Sequence, residues 1–432
     1  MWLLAVLTDN QRLVPRDESP GKIEFAKATD EEKAETEDTR SPLERFRTAP
    51  KKPLSVTDFV SPAWCELQYW YSLIKFGRKK RTPAMKRGSS VHKTLEEEVH
   101  VTVPIDVQTR EDNWGLRIWN IIQGLRTLRV TGMTRELELW GLVDGEVVNG
   151  IIDELSYNCP DPQLEAQLSG KATKNSKHDI QISPNQATIS EFFKSQPSQD
   201  SNPKSVKPDE RKIYLMDVKT RNSKFPPKGA SLRPTHMQLM LYRKLLANLA
   251  SNEVDAAVVF NRYGVDPSRE FSEELIQQLA GLEDNLNGEA GDASYVPVES
   301  DVETAVELLQ HNTLDKLWQL MMQEFQTTMC QGGDSISKIL KVEYRTSGEG
   351  TIMAAQTFQY NDNEIDSYMA DEMKWWRGQR PAQGVELEEA FKCQMCDFAE
   401  NCEWRINKIG EAVTKHRTKP QRRSNAVLPE VV

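Results

Sequence analysis

The sequence predicts an α/β fold, a mixed sheet flanked by helices with additional helical segments toward the C-terminus. Three segments carry that expectation. Residues 135–157, RELELWGLVDGEVVNGIIDELSY, alternate apolar and polar side chains on either side of Asp144-Gly145. That pair accepts the positive φ angles of a tight turn, so two antiparallel strands are expected. KIYLMDVKT, residues 212–220, begins apolar on both faces and reads as a strand buried on both sides. PTHMQLMLYRKLLANLA, residues 234–250, follows as a helix of good propensity.

The other elements fall around these. Residues 1–50 are polar, lack sustained apolar periodicity and are expected to form a disordered arm. An ordered domain is expected over 51–405, opening with a cap at Ser55 or Thr57 and a second start at Ser61-Pro62 that runs into the aromatic segment AWCELQYWYSLI. SSVHKTLEEEVH gives another helix from Ser89 or Ser90. The stretch 158–211 is rich in Ser, Pro, Gln, Asn and Lys and is expected to be a flexible insertion between the second and third strands. DAAVVFNRY (255–263) is expected to be a further strand, 272–380 a helical region, 391–405 a cysteine-bearing segment and 406–432 a basic disordered tail. No internal repeat is present.

With 38% hydrophobic and 28% charged residues, the 432-residue chain can bury one large core or two ordinary ones. No apolar run approaches the roughly 20 residues that span a bilayer, so a soluble protein is expected. The short apolar start has no basic residue before it and is soon followed by Asp9, Asp17 and Glu18, which suits neither a secretory signal nor a transit peptide. The net charge of -10 opposes phosphate binding as a sum, but its distribution matters more. Positive charge gathers at Lys75, Arg78, Lys79, Lys80, Arg81, Lys86 and Arg87 and again at His416 to Arg423, while acid gathers at Asp30 to Glu37 and Glu270 to Asp292. A basic face for nucleic acid is compatible with that pattern, with Lys79, Lys80, Arg81, Lys86 and Arg87 as its candidates. Trp64, Tyr69, Trp70 and Tyr71 lie beside it; they suit base stacking, but composition favours a core role.

The polar chemistry concentrates on the strands. Asp217 and Lys219 share a face at the end of a strand that is otherwise buried, where charges are costly unless paired or bound to a metal. An isolated Asp-x-Lys reads as a structural ion pair. Here GIIDELS repeats the arrangement by placing Asp153 after Ile151 and Ile152. Two neighbouring strands each ending in a carboxylate make an oxygen site suited to Mg²⁺ or Mn²⁺, which activates water and stabilises charge on a phosphodiester. Lys219 would stand beside it. His92 and Glu96 lie four apart on one helix face, as do Gln238 and Tyr242, and each pair suits either a core or a site.

Of six cysteines, Cys393, Cys396 and Cys402 fall within ten residues while Cys65 lies far upstream. That distribution points to a metal or redox site in a reducing compartment rather than a disulfide scaffold. Four thiolates suit zinc or a [4Fe-4S] cluster, and spacing leaves both open. Cys159 and Cys330 read as ordinary thiols.

Taken in order, GSSVHKTLE, GIIDE, DVK and QLMLY resemble the RecB-type branch of the PD-(D/E)XK nucleases, which share a restriction-endonuclease-like core. With Cys65 and CQMCDFAENC added, the chain is similar to the exonuclease V (defects-in-morphology) family from about Ser55 to Arg405. The resemblance implies a metal-dependent exonuclease that cleaves single-stranded DNA from its ends, 5′ to 3′ with release of short oligonucleotides in fungal members. It implies roles in DNA repair and mitochondrial genome maintenance. It further implies His92, Asp153 and Asp217 as ligands of Mg²⁺ or Mn²⁺, with the Val218 carbonyl as a further one. Lys219 becomes the catalytic lysine, Glu96 the helix acid near the metal, and Gln238 and Tyr242 the pair that orients site and substrate. For Cys65, Cys393, Cys396 and Cys402 it implies a [4Fe-4S] cluster, which would tie the first helix to the last segment.

Within the polar insertion, Gln186, Ile189, Phe192 and Phe193 resemble the short peptide by which replication and repair enzymes bind the sliding clamp; a helix docking back on the domain accounts for them equally well. The expectation is therefore a monomeric enzyme of the mitochondrion, the nucleus or both, with no membrane contact. An inactive nuclease-fold scaffold is the alternative, and the intact Asp153, Asp217 and Lys219 count against it.

Overall fold

The computed structural model describes residues 2–7, 38–79, 81–168, 211–281 and 299–418. In chain order the elements are β1 (Trp2–Leu7), α1 (Pro42–Phe46), β2 (Leu54–Ser55), α2 (Val56–Val60), α3 (Glu66–Phe76), α4 (Pro83–Glu97), β3 (His100–Ile105) and α5 (Arg110–Thr131). The hairpin β4 (Met133–Val143) and β5 (Glu146–Ser156) follows, then α6 (Pro162–Leu168), β6 (Ile213–Arg221), α7 (Arg233–Ala250), α8 (Ala256–Tyr263) and α9 (Glu273–Ala280). The C-terminal part holds α10 (Glu299–Gln310), α11 (Leu314–Thr328), β7 (Ile336–Thr346), β8 (Ile352–Gln359), α12 (Asp362–Trp376) and α13 (Glu403–Thr418).

The hairpin turn is the one its two central residues require: Asp144 and Gly145 have φ of 51° and 82°, so Val143 faces Glu146 and Met133 faces Ser156. This pair anchors a six-stranded mixed sheet in the order β2-β5-β6-β7-β8, with β4 on the other edge of β5. β6 lies antiparallel to β5 and parallel to β7, and β8 returns antiparallel to β7. One edge of β5 is shared: β2 pairs with Val148 and Asn149, and β6 pairs only from Glu154 to Ser156. Residues 150–153 of β5 therefore have no strand partner on that edge, and the functional groups collect in this gap.

The main core runs from the sheet through α5, α7 and α11, with Trp114 stacked on Trp140 at 4.8 Å and Trp318 beyond at 5.9 Å. α4 packs separately on β6 through Val91 and Leu95 against Met216 and Val218. Caps set several boundaries. Ser55 and Asp58 form a capping box on α2, and Thr82 accepts from Met85 N–H with Pro83 in the first turn, so α4 begins well before Ser89.

Four expectations are corrected. DAAVVFNRY is the helix α8, because Ala256, Val259, Phe260 and Tyr263 repeat at helical spacing, Asp255 caps its start and Gly264 ends it in the left-handed conformation. Residues 272–380 are not helical throughout: the β-branched run 336–346 forms β7, the strand beside β6, and returns as β8. The first 50 residues are not wholly an arm, since β1 pairs in parallel with β3, Asn120 hydrogen-bonds both the N–H and the carbonyl of Ala5, and α1 carries a Ser41–Glu44 capping box. Residues 406–418 of the expected tail are helical, the greater part of α13. Within the insertion Pro162–Leu168 is helical, and residues 169–210 lie outside the described residues. Among the described residues no helix is long and apolar enough to cross a membrane.

His100 opens β3 fully buried, and burial, then the nearby charge of Arg135, lowers its pKa to about 4. A histidine held below its unfolded value of about 6.5 stays neutral in the native state while the unfolded chain takes up a proton. Its stabilising contribution is thus present above that value and lost as the pH falls toward 4. Urea unfolding midpoints of the native chain and His100→Gln are expected to converge over that interval; a constant difference would refute the assignment.

Candidate active site

Six successive residues at the start of β6, Ile213 to Val218, are buried, and Asp217 is the fifth of them at 1% exposure. Lys219 Nζ stands 2.9 Å from Asp217 Oδ1 and 2.8 Å from Oδ2. The β5–β6 ladder stops at Glu154–Met216, and its next step would place Asp153 opposite Asp217. There the strands part, and the Val218 N–H donates instead to Asp153 Oδ2 at 2.7 Å. Both aspartates thus belong to one register row at the mouth of the gap.

α4 supplies the imidazole. Gly88 makes its approach to β6 feasible, because a Cβ there would lie 2.9 Å from Thr220 Oγ1. One turn further on, His92 has Nε2 3.2 Å from the Val218 carbonyl oxygen and Nδ1 3.1 Å from Glu136 Oε1. Asp153 Oδ1 is 3.6 Å from the same Nδ1. His92, Glu136 and Asp153 each offer a donor atom within 4.8 Å of the others, a set able to hold a metal ion.

Glu136 is absent from the sequence-based set. It was accessible to sequence reasoning all the same: a two-residue turn at Asp144-Gly145 fixes the hairpin register, and that register sets Glu136 against Asp153. Glu136 also has φ of 52°, and the regular pairing is interrupted at its position.

The expected ligands are therefore gathered, with a difference. His92 and Asp153 stand together with Glu136, while Asp217 lies just outside this trio, held by Lys219, though close enough for the charges of Asp153 and His92 to act on it. Glu96 is likewise outside the trio; with Arg117, Asn120, Arg135, Glu136 and Glu138 it lines an adjoining cleft of about 210 Å³. Gln238 Nε2 is 3.4 Å from the Tyr242 hydroxyl, and the buried Tyr242 ring covers Gly150, leaving no room for a side chain there.

Burial dominates the electrostatics. It raises Asp217 to about 6 and also raises Asp153, with Lys219 opposing in both cases. Burial disfavours the Lys219 ammonium, but the charges of Asp217 and Asp153 outweigh it and keep the pKa above the ordinary lysine value. Lys219 is thus a cation and a donor here, not a base. For His92 burial is again opposed, by the Glu136 hydrogen bond and the charge of Asp153, and its pKa rises.

Of the basic candidates, Lys79 is close enough to feel the charge of Lys219. Lys79 reaches solvent from a recess where desolvation, then the charge of Lys219, lowers its pKa. Arg81 donates to Ser89 Oγ at 2.9 Å, and Lys86 and Arg87 are exposed on α4. Lys80 and the clamp-like Gln186, Ile189, Phe192 and Phe193 lie outside the described residues. Of the aromatic run, Tyr69 and Trp70 pack on Trp375, Trp64 on Phe391 and Tyr71 on Phe398, which are internal contacts rather than a stacking platform.

Cys65, at the N-cap of α3, and Cys393, Cys396 and Cys402 line one small, almost wholly apolar cavity together with Trp64, Tyr71 and Trp404. None forms a disulfide. Burial pushes the Cys65 thiol up to about 11, and the other three cysteines add to the rise. Four convergent thiols fit a metal centre, whose binding would deprotonate them. Protein contacts tie the same two ends: buried Lys392 donates to the Trp64 carbonyl oxygen at 2.9 Å, and Arg380 Nη1 stands 2.8 Å from Glu66 Oε2. Cys159 and Cys330 lie elsewhere; Cys159 approaches Tyr214.

A mixed α/β core with Asp153, Asp217 and Lys219 gathered where two strands part is the framework of a nuclease, a hydrolase of phosphodiester bonds. The family model described as "Exonuclease V - a 5' deoxyribonuclease" matches residues 41–405, and the chain belongs to that family and is a DNA exonuclease. Among curated proteins it is similar to Exonuclease V of Danio rerio, 24% identical over 376 residues, covering 86% of this chain and 75% of the relative. It is also similar to "Exonuclease V, mitochondrial" of Eremothecium gossypii (24% identical, 82% of this chain, 76% of the relative) and of Candida glabrata (24%, 84% and 82%).

Gly150→Ala tests the geometry without touching a charged group. A Cβ would lie 2.6 Å from Tyr242 Cε1 and 2.8 Å from Val56 Cγ2, so overpacking is expected to cost about 1–3 kcal/mol and displace Tyr242. Thermal melts and exonuclease assays should both fall; unchanged values in both would contradict the described packing.

Proposed function

We propose that this exonuclease is metal-dependent, degrades single-stranded DNA from an end, 5′ to 3′ with release of short oligonucleotides, and works as a monomer in DNA repair and mitochondrial genome maintenance. The observation that carries the reading is the gathering of Asp153 and Asp217 where β5 and β6 part, Asp153 accepting from the Val218 N–H and Lys219 standing on the Asp217 carboxylate. His92, Asp153, Asp217 and the Val218 carbonyl would hold Mg²⁺ or Mn²⁺, oxygen-rich and hard as such ions require. When bound, the ion supplies a more acidic water and charge stabilisation at the phosphodiester. Lys219, kept cationic by two carboxylates, donates to Asp217 and is placed to neutralise charge developing on phosphate oxygens. Tyr242 and Gln238 wall the site from the α7 side, and Lys79, Arg81, Lys86 and Arg87 guide the strand by phosphate contacts.

For the cysteine cavity we propose a [4Fe-4S] cluster of structural role, supported by the apolar enclosure and the family's sequence pattern. The mitochondrial naming of fungal relatives supports that compartment, and the clamp-like peptide at 186–193 supports a nuclear share.

End-labelled single-stranded DNA with Mg²⁺ tests the site. Asp217→Asn and Lys219→Ala are each expected to lower the rate by about 100-fold or more at native stability, and degradation at the native rate by either would remove the assignment. For the cavity, Cys402→Ser should abolish the brown chromophore of anaerobically purified protein and lower its melting temperature. A colourless native protein carrying stoichiometric zinc would instead overturn the cluster reading.

A further inference from the structure

We propose that Glu136 is a positioning residue for the reaction: its carboxylate accepts a hydrogen bond from the Nδ1–H of His92, fixes the ring and its tautomer, and so presents Nε2 to the catalytic cation. The inference rests on the metal reading above. Three independent features of the structure carry it.

The first is the division of the imidazole. Glu136 Oε1 stands 3.1 Å from Nδ1, while Nε2 is 3.2 Å from the Val218 carbonyl oxygen on the far side of the ring. A histidine that donates through one nitrogen to a carboxylate keeps a lone pair on the other, and a carboxylate partner is the usual device for aiming a metal-binding imidazole. Nε2 and the Val218 oxygen are as far apart as two adjacent ligands of an octahedral Mg²⁺, which at about 2.1 Å from the ion lie about 3 Å from each other.

The second is the backbone. Glu136 adopts φ of 52° inside β4, a conformation that costs a non-glycine residue of order 1 kcal/mol or more and persists only where its surroundings enforce it. Neighbouring pairs Arg135–Glu154 and Leu137–Ile152 are regular, so the departure is confined to the one residue that meets His92.

The third is the surroundings. Arg117 is committed to Glu138 and Arg135 to Glu154, so both arginines that line the cleft beside Glu136 have carboxylate partners of their own. Glu136's ion pair is with His92.

The test is Mn²⁺ binding to the whole protein without DNA, followed by electron paramagnetic resonance and calorimetry, with ¹⁵N spectra of the histidine ring as a second readout. Glu136→Ala is expected to weaken Mn²⁺ binding 10- to 100-fold and to move the His92 proton from Nδ1 to Nε2. Glu136→Gln, which keeps an acceptor oxygen, should recover part of the affinity. Glu136→Gly relieves the backbone, so it should melt no lower than Glu136→Ala yet bind Mn²⁺ as weakly, which separates lost positioning from lost folding. In a His92→Ala background Glu136→Ala should have no further effect. A further loss there would make Glu136 a direct ligand and overturn the proposal, as would native affinity in Glu136→Ala when His92→Ala is impaired. Native affinity in His92→Ala itself would remove the metal reading on which both depend.

Discussion

The arrangement depends on one constraint, the early end of the ladder between β5 and β6. Antiparallel strands that stay paired place their side chains in rows but leave no space between backbones. Here β2 takes the beginning of the β5 edge and β6 takes its end, so 150–153 face an opening. Asp153 satisfies one exposed backbone donor, that of Val218, and Tyr242 fills the space above Gly150. The charged groups sit in the gap between two interior strands of a well-packed sheet, where desolvation strengthens each of their interactions.

Much of this was legible in the sequence. The Asp144-Gly145 turn, the doubly buried strand and the QLMLY helix were each set by local rules, and the observed elements agree with them. The two aspartates and Lys219 were legible because charges at the end of an apolar strand need a reason. Glu136 was hidden in an ordinary alternating strand, where a polar residue every second position reads as a solvated face; only the register, carried across from the turn, distinguishes it from Glu138. Glu96 shows the converse. Its spacing from His92 set it on the right helix face, but the neighbouring cleft rather than the donor trio receives it.

The misread elements share a cause. A short apolar run does not declare its period, so the segment of α8 reads equally as a strand, and only its caps and buried residues together distinguish the helix. β7 was submerged in a helical neighbourhood, yet it lies alongside the Asp217–Lys219 strand, a pairing between residues more than a hundred positions apart. β1 depends on a partner nearly a hundred residues away and on Asn120. Long-range pairing of this kind leaves no local trace.

The separation of Cys65 from Cys393, Cys396 and Cys402 has a consequence for how the molecule is made. At about 5–20 residues per second, a ribosome that has released the first of these thiols needs tens of seconds to deliver the others. Any centre they hold is therefore inserted only once the chain has been made through Cys402, into walls that the Lys392–Trp64 and Arg380–Glu66 contacts bring together. During that interval Cys65 waits alone, and a cell that makes this chain must keep it reduced until its partners arrive.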